Sequence, residues 1–244
     1  DYKRFVDECH KRGMAVIFDV VYNHASGSCP LAKLYWNGNN TAENNPWFNV
    51  DAPHPHGVFH DFNHENAQVR EYVKESLSYL INEYKVDGFR FDLTKGFTNN
   101  PSDESTSKNY DKDRVEILKG YKDYIMTVKS DAVIILEHFC CDQEEKELAE
   151  AGMKVWRNMN HSYRSSVSGS AADFTGLWTG SSAAHGTYVS FMESHDEERT
   201  CYGATSTTDS KNVKWGICGT MTNWTTDIAL NIDGAFYVAR GVEF

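Results

Sequence analysis

Four acidic residues each follow a short apolar run. Asp19 follows residues 14–18, Asp92 follows 86–91, Glu137 follows 132–136, and Asp196 follows 188–192 with His195 beside it. Carboxylates gathered without a phosphate-cradling glycine loop or a zinc motif suit cleavage of a glycosidic bond. In that reaction one acid protonates the leaving oxygen and another attacks the anomeric carbon, so one member must be ionised and the other protonated. Arg90 stands two residues before Asp92, so on a strand both side chains project to the same side and the guanidinium favours the charged carboxylate. Asp92 is therefore the better nucleophile. Glu137 follows Val133, Ile134, Ile135 and Leu136, a drier setting that raises a carboxyl pKa as a general acid requires. A single acid at a strand end is an ordinary helix cap or turn former; four in succession point to a site.

The elements that must hold these acids follow one grammar. Residues 1–12 read as the end of a helix, with Val6 and Cys9 on one side and Gly13 after it, and 14–18 read as a strand buried on both faces. Val69, Val73, Leu77, Leu80, Ile81 and Tyr84 predict a helix over 65–85, then a strand over 86–91. Val115, Leu118, Tyr121, Ile125 and Val128 predict the next helix, and 132–136 the next strand. A weaker helix over 142–151 precedes a short strand over 154–157, and 188–192 forms the last strand of the series. Alternation of this kind implies an α/β fold with a parallel sheet, either a barrel or a doubly wound layer. If the strands are parallel, all four acids lie at the carboxyl end of the sheet, where (β/α)8 barrels build their sites.

Composition narrows the alternatives. The 244 residues are 40% hydrophobic and carry a net charge of −11, so a phosphate backbone is repelled and nucleic acid is excluded as a first partner. No run approaches the length of a membrane-spanning segment, and no G-x-G-x-x-G or P-loop follows a strand. The six cysteines lack C-x-x-C spacing, which argues against structural zinc, and the redox compartment stays open. His54, His56, His60 and His64 lie close together, but Pro53 and Pro55 make that stretch a loop rather than the strand end a zinc amidohydrolase needs. Residues 25–64 break the alternation with prolines and asparagines and read as an inserted subdomain; 99–112 is a second polar loop. Residues 205–212 read as a linker, and 213–244 as short strands. Trp36, Trp47 and Tyr22 are candidate stacking planes for sugar rings.

Four motifs in order resemble the signature regions of the α-amylase family, glycoside hydrolase family 13: Asp19-Val20-Val21-Tyr22-Asn23-His24, Gly88-Phe89-Arg90-Phe91-Asp92, Glu137 after 133–136, and Phe191-Met192-Glu193-Ser194-His195-Asp196. The resemblance implies a (β/α)8 barrel with the inserted subdomain after its third strand. The barrel would comprise 1–24 and 65–204, with strands three to seven present, so the chain is expected to be a fragment. It implies a retaining mechanism on internal α-1,4 bonds of starch-like glucans, with Asp92 as nucleophile, Glu137 as acid and base, and Asp196 as transition-state stabiliser. The alternatives are an α-glucan transglycosylase, a debranching relative, or a noncatalytic glucan-binding protein.

The same resemblance places His24 and His195 on sugar hydroxyls, Arg90 on the nucleophile at the substrate site and Lys95 in the neighbouring subsite; Tyr22, as a stacking plane, completes the expected substrate-binding set. Gly96 stands where a histidine is usual. It also implies a structural Ca²⁺ held by Asn23 and Asp61, and a secreted, periplasmic or cell-surface bacterial setting. Residues 213–244 resemble the opening of a β-sandwich carbohydrate-binding module.

Overall fold

The computed structural model describes residues 1–177, 184 and 186–202, and the backbone of 216–217, 228–229, 231–233 and 236–238. The expected linker over 205–212 lies outside the described residues. Two compact units result, one of Asp1–Met159 with Phe174–Met192 and one of Asn160–Asp173 with Glu193–Phe244.

The first unit is built on five parallel strands in chain order: Ile17–Val20, Gly88–Phe91, Val133–Leu136, Lys154–Asn158 and Tyr188–Phe191. This is the α/β parallel sheet that the alternating pattern predicts, with strands starting up to three residues later than the apolar runs. Gly88 explains one close approach, because a β-carbon there would stand 2.0 Å from the Val133 carbonyl oxygen on the next strand. The helix Ala67–Tyr79 buries Val69, Val73 and Leu77 at three- and four-residue spacing, and Asn66 caps it by accepting from the Gln68 amide. It continues through a widened turn, Leu80–Tyr84, and stops at Lys85 in the left-handed region. The helix Lys112–Val128 buries Val115, Leu118, Tyr121 and Ile125 and is capped by the Asp111 carboxylate on the amides of Asp113 and Arg114. These faces close over Phe89, Phe91, Ile134 and Leu136 from the strands.

The inserted stretch holds a short helix, Pro30–Leu34, and two small antiparallel ladders, Trp36–Asn37 with Asn40–Thr41 and His24–Ala25 with His60–Asp61. In the second unit the helix Asn160–Val167, which no sequence signal announced, precedes the segment carrying His195 and Asp196. The described backbone beyond residue 213 forms two antiparallel pairs, Gly216–Ile217 with Ile228–Ala229 and Asn231–Asp233 with Phe236–Val238.

Candidate active site

Register sets the geometry of the first unit. Asp19 pairs with Arg90 and Arg90 with Ile135, while Phe91 pairs with Val20 and Leu136. Asp92 and Glu137 are therefore the next residues out on adjacent strands, and they hold the ladder by donating to the carbonyls of Val20 (3.0 Å) and Phe91 (2.9 Å). With the two-residue period of a strand, Asp19, Arg90 and Asp92 share a side, and Glu137 joins Asp92 in the same layer.

Arg90 is the hub of the arrangement. Its Nη1 donates to Asp19 Oδ1 at 2.7 Å and to Asp92 Oδ1 at 2.8 Å. Nη2 lies 2.9 Å from Glu137 Oε2, an ion contact whose angle falls short of a hydrogen bond. The guanidinium stacks 4.2 Å from the Trp156 ring, which fixes its plane. Glu137 is buried, and burial pushes its carboxyl above the usual range. The Leu93 amide and the Arg90 charge oppose that rise, and Asp92, within hydrogen-bonding reach, adds to it. One carboxyl bonded to the guanidinium and a second whose pKa burial raises, set around one cation, are unlike environments of the kind that an acid and a nucleophile need. Leu93 takes a left-handed conformation, φ 47° and ψ 45°, and its amide donates to Glu137 Oε2 at 2.9 Å.

Behind Glu137 stands a buried buttress. The Thr94 amide donates to the Glu137 carbonyl at 2.9 Å, and the Thr94 hydroxyl lies 2.9 Å from His138 Nδ1. His138 Nε2 faces Glu144 Oε1 at 2.8 Å and must carry the hydrogen, since a carboxylate only accepts. Arg114 grips both Glu144 oxygens, at 2.6 and 2.9 Å. Burial pushes Glu144 up, but the bonds from His138 and Arg114 outweigh it and hold the carboxyl at about 2. His138, Cys140 and Glu144 have the spacing of a metal triad. The guanidinium already spans the carboxylate, and burial lifts the Cys140 thiol to about 12, so the cluster is a structural support.

His24 is half-buried, which lowers its pKa, and it lies within electrostatic reach of Asp92. Lys95 is likewise lowered by burial, senses Glu137 and has its ammonium 6.0 Å from the Phe139 ring. The structure thus gathers Asp92, Glu137, Arg90, His24 and Lys95. Asp196 and His195 belong to the second unit, where both are exposed and lie 3.5 Å apart; the Asp196 amide donates to Ser194 Oγ.

Tyr22 requires a correction. Its ring is in the core against Phe91, and its hydroxyl pairs with Ser76 Oγ at 2.7 Å, so it presents no face to a sugar. The buried side of the strand end claims it, because Val21 takes the exposed position. Trp36 has Lys33 Nζ 3.3 Å from its ring centre, and Trp47 packs edge-on to Tyr72. Sequence reasoning missed Trp156, Leu93, Thr94 and His138; a tryptophan two positions inside a strand of the same sheet was a signal for the first.

The oxygens that calcium would need at Asn23 and Asp61 share their surroundings with other groups. That ion takes six to eight oxygens at about 2.3–2.6 Å. Here Asp61 Oδ2 accepts from Asn49 Nδ2 at 2.8 Å, and the Gly96 carbonyl, the next oxygen at hand, faces His54 Nε2 at 2.8 Å. Asn23 Oδ1 and Asp61 Oδ1 have no hydrogen bond, yet an imidazole stands among these oxygens.

Comparison with known proteins bears on the family and the fold. Residues 36–226 match the family described as "Alpha amylase, catalytic domain". The chain is 32% identical over 131 residues to a malto-oligosyltrehalose trehalohydrolase of Saccharolobus solfataricus, covering 53% of this chain and 21% of that protein. It is 38% identical over 106 residues to the chloroplastic isoamylase SU1 of Zea mays, covering 40% and 13%. It thus spans about a fifth or less of the length of these relatives. Among solved structures it resembles a noncanonic maltogenic α-amylase, AmyB of Thermotoga neapolitana, with a TM-score of 0.56 and 21% identity over 82% of this chain and 43% of that one. That likeness shows the fold, a piece of a (β/α)8 barrel. Sheet, signature order and family match converge, and the chain belongs to the α-amylase catalytic-domain family.

Proposed function

We propose that this chain carries the reacting pair of a retaining enzyme acting on α-glucans, with Asp92 as nucleophile and Glu137 as acid and then base. The observation that carries this reading is the Arg90 guanidinium shared by two carboxyls in unlike settings: Asp92 accepts a hydrogen bond from Nη1, while burial raises the pKa of Glu137. In the first step Asp92 attacks the anomeric carbon and Glu137 gives its proton to the departing glycosidic oxygen. In the second, Glu137 takes a proton from water, the water oxygen bonds to the anomeric carbon, and the glycosyl–Asp92 bond breaks to release the Asp92 carboxylate. Asp196 is assigned to stabilising the oxocarbenium-like transition state, and His24, His195 and Lys95 to sugar hydroxyls; these assignments rest on the motifs.

The finer reading is hydrolysis of internal α-1,4 bonds of starch-like glucans. A second reading, debranching or transglycosylation, is favoured by the isoamylase and the 1,4-alpha-glucan-branching enzyme of rice among the relatives. Trapping with a fluorinated glucosyl fluoride in the full-length protein, followed by peptide mass mapping, tests the shared step. The label is expected on Asp92 and lost in Asp92→Asn; label on another residue overturns the assignment. Products from amylose, pullulan and amylopectin then separate the two readings.

A further inference from the structure

The inserted segment and the stretch after Asp92 meet at a cluster of buried oxygens. Asn23 is fully buried with Oδ1 unpaired, and Asp61 is buried with Oδ1 unpaired. Buried acceptors of this kind need a donor nearby. Beside them stands His54, itself buried, while both Oδ1 atoms keep no hydrogen bond. Its Nε2 stands 2.8 Å from the Gly96 carbonyl oxygen and 3.4 Å from Asp61 Oδ1. A β-carbon on Gly96 would stand 1.9 Å from Asn23 Oδ1 and 3.1 Å from His54 Cε1, so the ring and the Asn23 oxygen flank the same point. A carbonyl only accepts, so Nε2 carries the hydrogen.

The loop that brings His54 here is pinned on both sides. The Pro53 carbonyl accepts from the Ser102 amide at 3.0 Å, and the His56 carbonyl from Asn23 Nδ2 at 3.2 Å. The His56 ring stacks 5.7 Å from that of His54. Two prolines flanking His54 restrict its backbone further.

We propose that His54 is a built-in replacement for a cation, its Nε2–H joining the inserted segment to the Gly96 strap behind Asp92 where a hard metal ion would otherwise gather the same oxygens. The donor is covalently part of the chain, so this junction is closed at any calcium concentration. A side chain at position 96 is excluded for the same reason, since Asn23 and His54 fill its space.

Thermal unfolding of the full-length protein, in EDTA and in millimolar CaCl2, tests this. The midpoints are expected to agree within about 1 °C, whereas a saturable rise of several degrees with Ca²⁺ overturns the proposal, because a ligand bound only by the folded state must raise the midpoint. Long-range ¹H–¹⁵N spectra read the His54 tautomer directly. An exchange-protected Nε2–H is expected, and an Nδ1–H tautomer overturns it. His54→Ala is expected to lower the midpoint by several degrees, and an unchanged midpoint refutes the role. Should that variant fail to fold, the two measurements on the unaltered protein decide.

Discussion

Gly96→Ala is the smallest change that loads the junction between insert and sheet. The added β-carbon would stand 1.9 Å from Asn23 Oδ1 and 2.9 Å from Asn23 Cγ, with His54 Cε1 at 3.1 Å beyond it. Relief requires Asn23 to move by more than an ångström, and Asn23 is completely buried. It also gives up its contacts to His24 Nδ1 and the His56 carbonyl, both at 3.2 Å. Overpacking a filled interior costs about 1–3 kcal/mol, and each of the two hydrogen bonds lost adds roughly 1 kcal/mol, so a total of about 3–5 kcal/mol follows. For a domain of this size that is a fall in midpoint of roughly 6–20 °C. Denaturant titration followed by tryptophan fluorescence measures it. Asn23→Ala in the same background removes the obstructing oxygen, so the double variant should lose less than the two single losses together. A Gly96→Ala protein within about 0.5 kcal/mol of the parent, or strict additivity in the double variant, would show that position 96 is not confined as described.

Three further expectations concern charge. Arg90→Leu leaves Asp92 and Glu137 facing each other without their cation, and should cost about 3–5 kcal/mol as for other broken buried pairs; the exposed Asp19 contact adds little, and a loss below about 1 kcal/mol in urea titration contradicts the hub. Glu145 is buried, and burial lifts its carboxyl to about 7 against the opposing charge of Arg157, 3.3 Å away. A folded-state pKa raised above the unfolded value gives stability that is complete below about pH 4.5 and lost as pH rises through about 7, so Glu145→Gln should gain about 3 kcal/mol on the parent between those limits; parallel stability curves would rule this out. Arg114→Met strands the Glu144 carboxylate and should destabilise by about 3–5 kcal/mol, read as faster proteolysis between the Ser107 loop and the helix Asp142–Glu150; unchanged cleavage would argue against the buttress.

How much of this was legible in the sequence depended on how local each signal was. Periodicity fixed the helices at Ala67–Tyr79 and Lys112–Val128 and the order of the five strands, because apolar spacing states which face is buried. The Arg90–Asp92 pairing was equally readable, since two residues on a strand share a side. Tyr22 was misread because a tyrosine near a strand end looks the same whether its hydroxyl meets sugar or Ser76, and Ser76 is contributed by a different helix. Position 96 illustrates the same limit. The glycine was visible as a departure from the family pattern, but its cause, the occupation of that space by Asn23 and His54, joins three segments distant in sequence. His138 was hidden likewise, as it has no one-dimensional mark separating it from core packing, and Trp156 had only its place inside a strand of the same sheet.

The turn at Leu93 makes the two oxygens of Glu137 unequal. Oε2 receives a main-chain N–H and borders a guanidinium, so both neighbours present positive hydrogen to it. An acidic hydrogen is disfavoured there and favoured on Oε1. In the proposed reaction the direction from which a leaving group is served would thus be set by a peptide unit, and would survive exchange of the side chain at position 93 for one that tolerates the left-handed bend.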